Sequence, residues 1–354
     1  MKNTKHKFPY EWTLKDAKFT KDKGTVFSCF ACGGGSTMGY KLAGFDVLGC
    51  NEIDPKMIEA YKVNHNPKYA YLEPIQTFKL RKDLPKELYN LDILDGSPPC
   101  SSFSMAGNRE KDWGKAKKFR EGQADQVLDN LFFDFIDLAK ELQPKVVVAE
   151  NVVGMMMGAA KEYVKKVYTA FKEAGYQLRI EPYLLDASKM GVPQRRRRVF
   201  FIALRNDLAP NFMEQVDMFQ SAPKLDLEFN EKEIPFKEIE EKDVKRIPLP
   251  KALLKHWGNA DHNGRAKSES GNTFGFFYKA VKHLPLSTII SGGYYSIQNS
   301  PDLLTDSEYS KCGSYPLDYK HLKNEAKYLI GMSVPPVMTA QISKEIYNQW
   351  LSKS

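Results

Sequence analysis

What constrains this chain most is a rhythm. From Thr25 to about Arg205, short apolar runs alternate with segments of helical period. Alternation of that kind builds a parallel sheet, because parallel neighbours need a crossover long enough to carry the chain back to the same edge. Residues 25–30 read as a buried strand, followed by a glycine-rich turn and a helix through about Ala43, with Gly44 as its C-cap. Residues 46–51 and 91–94 read as the next strands, the latter stopped by Gly96 and Pro98. Across 126–142, Val127, Leu131, Phe135, Leu138 and Leu142 recur at helical spacing, and Leu128, Phe132 and Ala139 widen that face. Strands are expected over 146–149 and 199–204. The rhythm stops near Asn206. Scattered prolines, the charge cluster at 238–245 and the polar stretch at 256–272 read as an inserted second domain. Helices are expected again over 323–330 and 337–351. The fold class is therefore α/β with a second, smaller domain.

At 354 residues, 42% of them hydrophobic, the chain can bury a sizeable core. No apolar run approaches the ~20 residues of a membrane span, and the first residues lack the apolar stretch of a signal peptide. A cytoplasmic protein without membrane contact is expected. Fifty-two Lys and Arg against 44 Asp and Glu leave a net charge of +8, which permits a polyanionic partner without requiring one. The five cysteines, Cys29, Cys32, Cys50, Cys100 and Cys312, are odd in number and scattered, which argues against a disulfide framework. Cys29 and Cys32 have metal-pair spacing, but no second pair or His cluster completes a site, and no metal is expected.

Ligands of open α/β sheets bind beyond the carboxyl ends of the strands, so the residues following each strand matter most. After the first come Ala31, Cys32, Gly33, Gly34 and Gly35, a turn that lets backbone approach a ligand closely. The second ends at Asn51-Glu52, and an acid about 20 positions beyond such a turn suits the hydroxyls of a ribose. Glu52 also fits a carboxylate capping the next helix. The third leads through Asp95-Gly96-Ser97-Pro98-Pro99 to Cys100, with Ser101 to Ser104 behind it. Two prolines give the rigid placement a nucleophile needs, and the same residues fit a buried structural cysteine. The fourth ends at Glu150-Asn151-Val152. A carboxylate leaving an apolar strand is desolvated, which suits a proton donor, or it binds backbone amides. The fifth signal is Gln194 followed by Arg195, Arg196, Arg197 and Arg198. If strand geometry continues through the run, Arg196 and Arg198 share a face suited to phosphate or base contacts. A solvated charge run fits as well.

In this order, the five signals resemble the DNA (cytosine-5) methyltransferase family of bacterial or phage restriction-modification type, over residues 25–205 and 286–345. Beyond the insertion, Leu304-Thr305, Glu308, Tyr315-Pro316 and Asp318-Tyr319 also match, as do Gly331 to Pro336. Departures are Cys32 in place of Gly, Met332 in place of Asn, Ser101 in place of Gln, and Pro74 where an aspartate is usual. The resemblance implies an S-adenosylmethionine-dependent, Rossmann-like sheet. Its catalytic and cofactor-binding domain spans 1–205 and is completed by 323–354; its target-recognition domain spans 206–322.

The implied reaction moves a methyl group from S-adenosyl-L-methionine to carbon 5 of a flipped-out cytosine in duplex DNA, through a covalent adduct. Implied catalytic residues are Cys100 as nucleophile, Glu150 on ring nitrogen 3, and Arg196 and Arg198 on the base carbonyl or a phosphate. Implied cofactor contacts are Phe30, Ala31, Gly33, Gly34, Gly35, Glu52, Ile53, Ile75, Pro99, Leu131, Met332, Ser333 and Val334. Base flipping is required because the target atom is hidden in a duplex. Implied partners are duplex DNA and a cognate restriction endonuclease acting separately, with the enzyme itself a monomer. Base readers are expected among His256, Asn259, His262, Asn263, Arg265, Lys267 and Asn272. An RNA (tRNA) cytosine-5 methyltransferase is the second reading. The polar insertion favours DNA, since it suits reading of a duplex groove.

Overall fold

A computed structural model describes residues 6–99, 116–117, 126–127, 130–158, 160–216, 220–268, 270–271 and 273–354. Two compact units make up the chain. One consists of Phe19–Leu185, Arg197–Glu228 and Ile342–Ser354, the other of Met1–Lys18, Asp186–Arg196 and Phe229–Gln341.

The first unit begins with β1 (Thr25–Cys29), α1 (Gly35–Leu42), β2 (Asp46–Glu52), α2 (Pro55–His65), β3 (Tyr69–Leu72), α3 (Ile75–Phe78) and β4 (Ile93–Gly96). A short antiparallel pair, β5 (Ala116–Lys117) and β6 (Gln126–Val127), precedes α4 (Leu131–Leu142) and β7 (Val146–Val152). Then come α5 (Ala160–Glu173), β8 (Tyr176–Leu178) and β9 (Tyr183–Asp186). After β10 (Gln194–Arg195), which lies in the second unit, β11 (Arg197–Arg205) rejoins the sheet. A separate ribbon is formed by β12 (Met213–Gln215) and β13 (Ser221–Pro223).

The main sheet runs β3-β2-β1-β4-β7-β11-β8, with β9 also paired to β11. From β3 to β7 neighbours are parallel, whereas β11 is antiparallel to both β7 and β8. Strand order reverses between β1 and β4. Crossovers leave such a point toward opposite faces, which opens a crevice at the carboxyl ends. Leu131, Phe135, Leu138 and Leu142 of α4 pack with Phe27, Leu94, Val147 and Ala203 of the strands in one buried cluster. Each such side chain stabilises the fold by roughly 1.5–3 kcal/mol.

The expected rhythm is present, with shifted edges. Gly44 takes a left-handed φ of 96° just after α1, the conformation expected of a helix-terminating glycine. The helix expected from residue 126 starts at Leu131. The strand expected over 146–149 continues to Val152, because antiparallel pairing with β11 extends the ladder to Val152 opposite Arg198. Glu150-Asn151-Val152 thus lies inside a strand.

In the second unit, β14 (Arg265–Lys267), β15 (Thr273–Lys279), β17 (Tyr294–Ile297) and β18 (Ser300–Leu303) form a four-stranded sheet, and β16 (Leu286–Ser287) pairs with β10. Its helices are α6 (Lys251–Leu254), α7 (Asp306–Cys312) and α8 (Ala326–Met332), followed by α9 (Pro336–Gln349). A capping box of Thr305 and Glu308 starts α7, and Glu308, fully buried, also pairs with Arg246 at 2.6 Å. Among the described residues, no helix is long and apolar enough to cross a membrane.

Candidate active site

The turn after β1 is shaped by three left-handed residues: Phe30 at φ 51°, Cys32 at 50° and Gly34 at 85°. A β-carbon on Gly34 would come within 2.1 Å of His65 Nε2, so sterics and backbone conformation both demand glycine. Burial holds the His65 imidazole well below its ordinary range, and therefore neutral. Gly34 is the N-cap of α1 and no side chain caps that end, so the first-turn amides face the crevice end of the sheet.

Glu52, at the end of β2, anchors this turn. Its carboxylate accepts the amides of Cys32 at 2.6 Å, Ile53 at 2.8 Å and Asp54 at 2.8 Å. Burial pushes its carboxyl above the usual range, against the pull of those amides. A carboxylate offers about four acceptor sites, so one remains for a donor such as a ribose hydroxyl. The group therefore both braces the turn onto the next helix and keeps an acceptor. An uncapped helix end for an anion beside a buried acceptor for a hydroxyl fits an amino-acid nucleoside. Ala31, Gly33, Gly34 and Gly35 are buried here, and Phe30 and Ile53 half-buried. Ile75 and Leu131 lie in the core cluster beneath.

Adjacent to β1, β4 leads toward Pro98 and Pro99, and adjacent to β4, β7 carries Glu150. In register, Cys29 faces Gly96 and Gly96 faces Ala149. Asn151 donates from Nδ2 to the Pro98 carbonyl at 3.0 Å, while its Oδ1 accepts the Val152 amide at 2.9 Å. The proline turn is thus tied to β7. Cys100 lies outside the described residues, as does Ser101.

The Glu150 carboxylate is met by Arg198 Nε at 2.9 Å, with the two side chains 12% and 15% exposed. They are diagonal neighbours on one face of the β7–β11 ladder. Burial pulls the Arg198 guanidinium below its ordinary value, and Glu150 opposes that pull. Arg198 is a partner for Glu150 that neither sequence reading of that carboxylate named.

The strand continuity expected through the arginine run is interrupted. Arg196 falls in the break between β10 and β11. Its side chain is buried, and its guanidinium donates to the Ile289 and Gly331 carbonyls, both at 2.9 Å. Gly331 immediately precedes Met332, Ser333 and Val334. Of these, Met332 is exposed, Val334 is buried, and Ser333 is buried with its hydroxyl on the Leu329 carbonyl.

Among the expected base readers, Asn259, His262, Asn263, Arg265 and Lys267 are exposed in the second unit. Asp261 Oδ1 accepts the Asn263 and Arg265 amides at 2.9 Å each and shapes their loop, and Arg195 reaches Asn263 at 3.3 Å. His256 is buried at 5% exposure, unlike these five exposed residues. Asn272 lies outside the described residues. Among the described residues, no cluster of metal-ligating side chains occurs. Sequence reasoning missed Asp95 as a buried partner of three hydroxyls, for which an acid at the end of an apolar strand was the available signal.

The family model for C-5 cytosine-specific DNA methylase matches residues 24–348. The type II methyltransferase M.FnuDI of Fusobacterium nucleatum is 35% identical over 183 residues, covering 52% of this chain and 47% of the relative. The type II methyltransferase M.NgoPII of Neisseria gonorrhoeae is 33% identical over 187 residues, covering 53% and 50%. The chain spans about half the length of the curated relatives it matches. A putative DNA modification methyltransferase encoded within an E. coli prophage superposes with a TM-score of 0.67 at 20% identity, covering 93% of this chain and 99% of that one. A Spodoptera frugiperda DNMT2 variant gives 0.62 at 17% identity, covering 91% and 99%. The fold is accordingly shared with these solved structures, and the chain belongs to the C-5 cytosine-specific DNA methylase family.

Proposed function

We propose that this chain methylates carbon 5 of cytosine in duplex DNA, with Cys100 as nucleophile and S-adenosyl-L-methionine as donor. The observation that carries this reading is the register of β4 and β7. The strand leading to Cys100 and the strand bearing Glu150 are adjacent and parallel, and Asn151 ties one to the turn of the other.

S-adenosylmethionine supplies an electrophilic methyl group when bound. Glu52 would hold the ribose through its remaining acceptor, and the α1 amides would hold the carboxylate. Carbon 5 of cytosine is a poor nucleophile until a thiolate adds at carbon 6. Cys100 adds there, forming a carbon–sulfur bond and pushing electrons toward ring nitrogen 3. Glu150 hydrogen-bonds or protonates that nitrogen, so that little negative charge accumulates. Arg198 fixes the Glu150 carboxylate in place. Carbon 5 of the resulting enamine would then take up the methyl group, and loss of the carbon 5 proton to a base, a water included, restores the ring double bond and expels the thiolate. The exposed loop around Asn263 and Arg265 reads flanking bases, since the strand ends are taken up by the flipped base and the cofactor. A restriction-modification setting, with a cognate endonuclease acting separately, accords with the type II names of the relatives.

The test is transfer of a labelled methyl group to duplex DNA and, in parallel, to tRNA. Label in DNA cytosine, mapped by bisulfite sequencing, is the expected result. Label in tRNA alone would move the activity to RNA, and label in neither would remove it.

A further inference from the structure

Asp95 is the penultimate residue of β4 and is 4% exposed. It faces Ser28 of β1 on one side and Val148 of β7 on the other. Its Oδ2 accepts Ser28 Oγ and Ser36 Oγ, each at 2.7 Å, and its Oδ1 accepts Tyr40 OH at 3.2 Å. Ser36 and Tyr40 belong to α1, and Ser36 lies in the first turn behind Gly34 and Gly35. All three hydroxyls are themselves buried. One carboxylate therefore joins the helix that follows the glycine-rich turn to the strand that reaches Cys100 five residues later.

We propose that Asp95 is a positioning residue for methyl transfer, which as a carboxylate locks the glycine-rich turn to the nucleophile's strand and on protonation releases that lock. The inference rests on the cofactor and nucleophile roles proposed above. Its chemistry is acceptor counting. An ionised carboxylate accepts all three hydroxyls, whereas a protonated one turns one oxygen into a donor, so at least one contact to α1 or β1 must reverse its direction or be lost. Burial pushes the Asp95 carboxyl up to about 6, with Ser36, Ser28 and Tyr40 pulling it down and Glu150 adding to the rise. The titratable groups that feel its charge are Cys29 on β1, Tyr40 on α1, Tyr61 on α2 and Glu150 on β7. The lock is closed at neutral pH and opens on mild acidification.

Each hydroxyl donor favours the carboxylate and lowers the pH at which Asp95 ionises, so removing one raises that pH. Tyr40→Phe and Ser36→Ala should move the acid limb of single-turnover methylation toward neutral pH, the 2.7 Å Ser36 contact more than the 3.2 Å Tyr40 contact. Asp95→Asn should abolish that limb and lower the rate at pH 7.5 at least tenfold. A second measurement needs no turnover. The folded state holds the Asp95 proton more tightly than the unfolded chain, whose aspartates titrate near ~3.9. Wild-type stability relative to Asp95→Asn should then be greatest below that value and be lost as pH rises through about 6. If Asp95→Asn does not fold, Tyr40→Phe and Ser36→Ala decide, since each retains the carboxylate. An acid limb that stays in place in both of them overturns the inference. If the wild type methylates nothing at any pH, the proposed activity fails, and the stability profiles of the wild type and Tyr40→Phe still decide whether Asp95 titrates as described.

Discussion

Replacing Asn151 with alanine removes a side chain that makes two hydrogen bonds at once. The Pro98 carbonyl loses its donor at 3.0 Å and the Val152 amide loses its acceptor at 2.9 Å, at a position 3% exposed. Each bond contributes about 0.5–1.5 kcal/mol net, and leaving a buried partner unsatisfied costs about 1–3 kcal/mol. Asn151→Ala should therefore destabilise the fold by about 2–4 kcal/mol, read from the midpoint of denaturant unfolding. The larger effect should be kinetic. Displacing a reacting group by about 1 Å costs on the order of 100-fold in rate, and Asn151 holds the turn just ahead of Cys100. Single-turnover methylation should fall by that order while cofactor affinity changes little. Asn151→Asp keeps an acceptor for Val152 but sets a buried carboxylate oxygen against the Pro98 carbonyl, so it should restore neither the stability nor the rate. Full wild-type turnover in Asn151→Ala would refute the view that this bond positions the nucleophile's turn.

Arg198→Ala strips Glu150 of its ion pair. The pair is partly exposed, so the stability loss should fall between the ~1 kcal/mol of a surface pair and the ~3–5 kcal/mol of a buried one. Turnover should drop more than cofactor affinity, and unaltered turnover contradicts the positioning role. Glu52→Gln puts an amide NH2 donor where one carboxylate oxygen accepts backbone amides. The cofactor Kd by calorimetry should rise at least about tenfold, or ~1.4 kcal/mol, and an unchanged Kd removes the ribose assignment. Arg265→Ala should relax one base of the target at a cost of about 1–3 kcal/mol in discrimination. Bisulfite mapping that shows the same target, with unchanged DNA affinity, takes Arg265 out of base reading.

The sheet was legible because its signals are local. Val146 to Ala149 is apolar without interruption, as a strand covered on both faces must be. Gly44 and Pro144 punctuate helices at positions where physical chemistry leaves little choice. The residues at strand ends were equally legible, since parallel topology alone sends Glu52, Asp95 and Glu150 to the same end of the sheet. What pairs with them was not. Asn151 meets Pro98 across 53 positions and Ser36 meets Asp95 across 59, and periodicity carries no information on such partners. Arg198 sits 48 positions from Glu150, and their contact depends on the antiparallel register of β11 against β7. The break at Arg196 was hidden for a related reason: a run of four arginines has the same composition whether the strand continues or stops, and only the carbonyls of Ile289 and Gly331 explain the turn inward. His256 shows the converse, a polar residue in a polar stretch that nonetheless folds inside.

The central claim is a covalent bond between Cys100 and the target cytosine. Duplex DNA carrying 5-fluorocytosine at the mapped site tests it directly, because fluorine at carbon 5 blocks the final elimination and leaves the adduct in place. With S-adenosylmethionine present, the wild type should form a complex that survives denaturing electrophoresis, with the cross-linked peptide containing Cys100. Cys100→Ala should form none while binding the cofactor with nearly wild-type affinity. A wild-type enzyme that methylates ordinary DNA yet leaves the fluorinated duplex untrapped would contradict the mechanism, as would trapping that persists in Cys100→Ala.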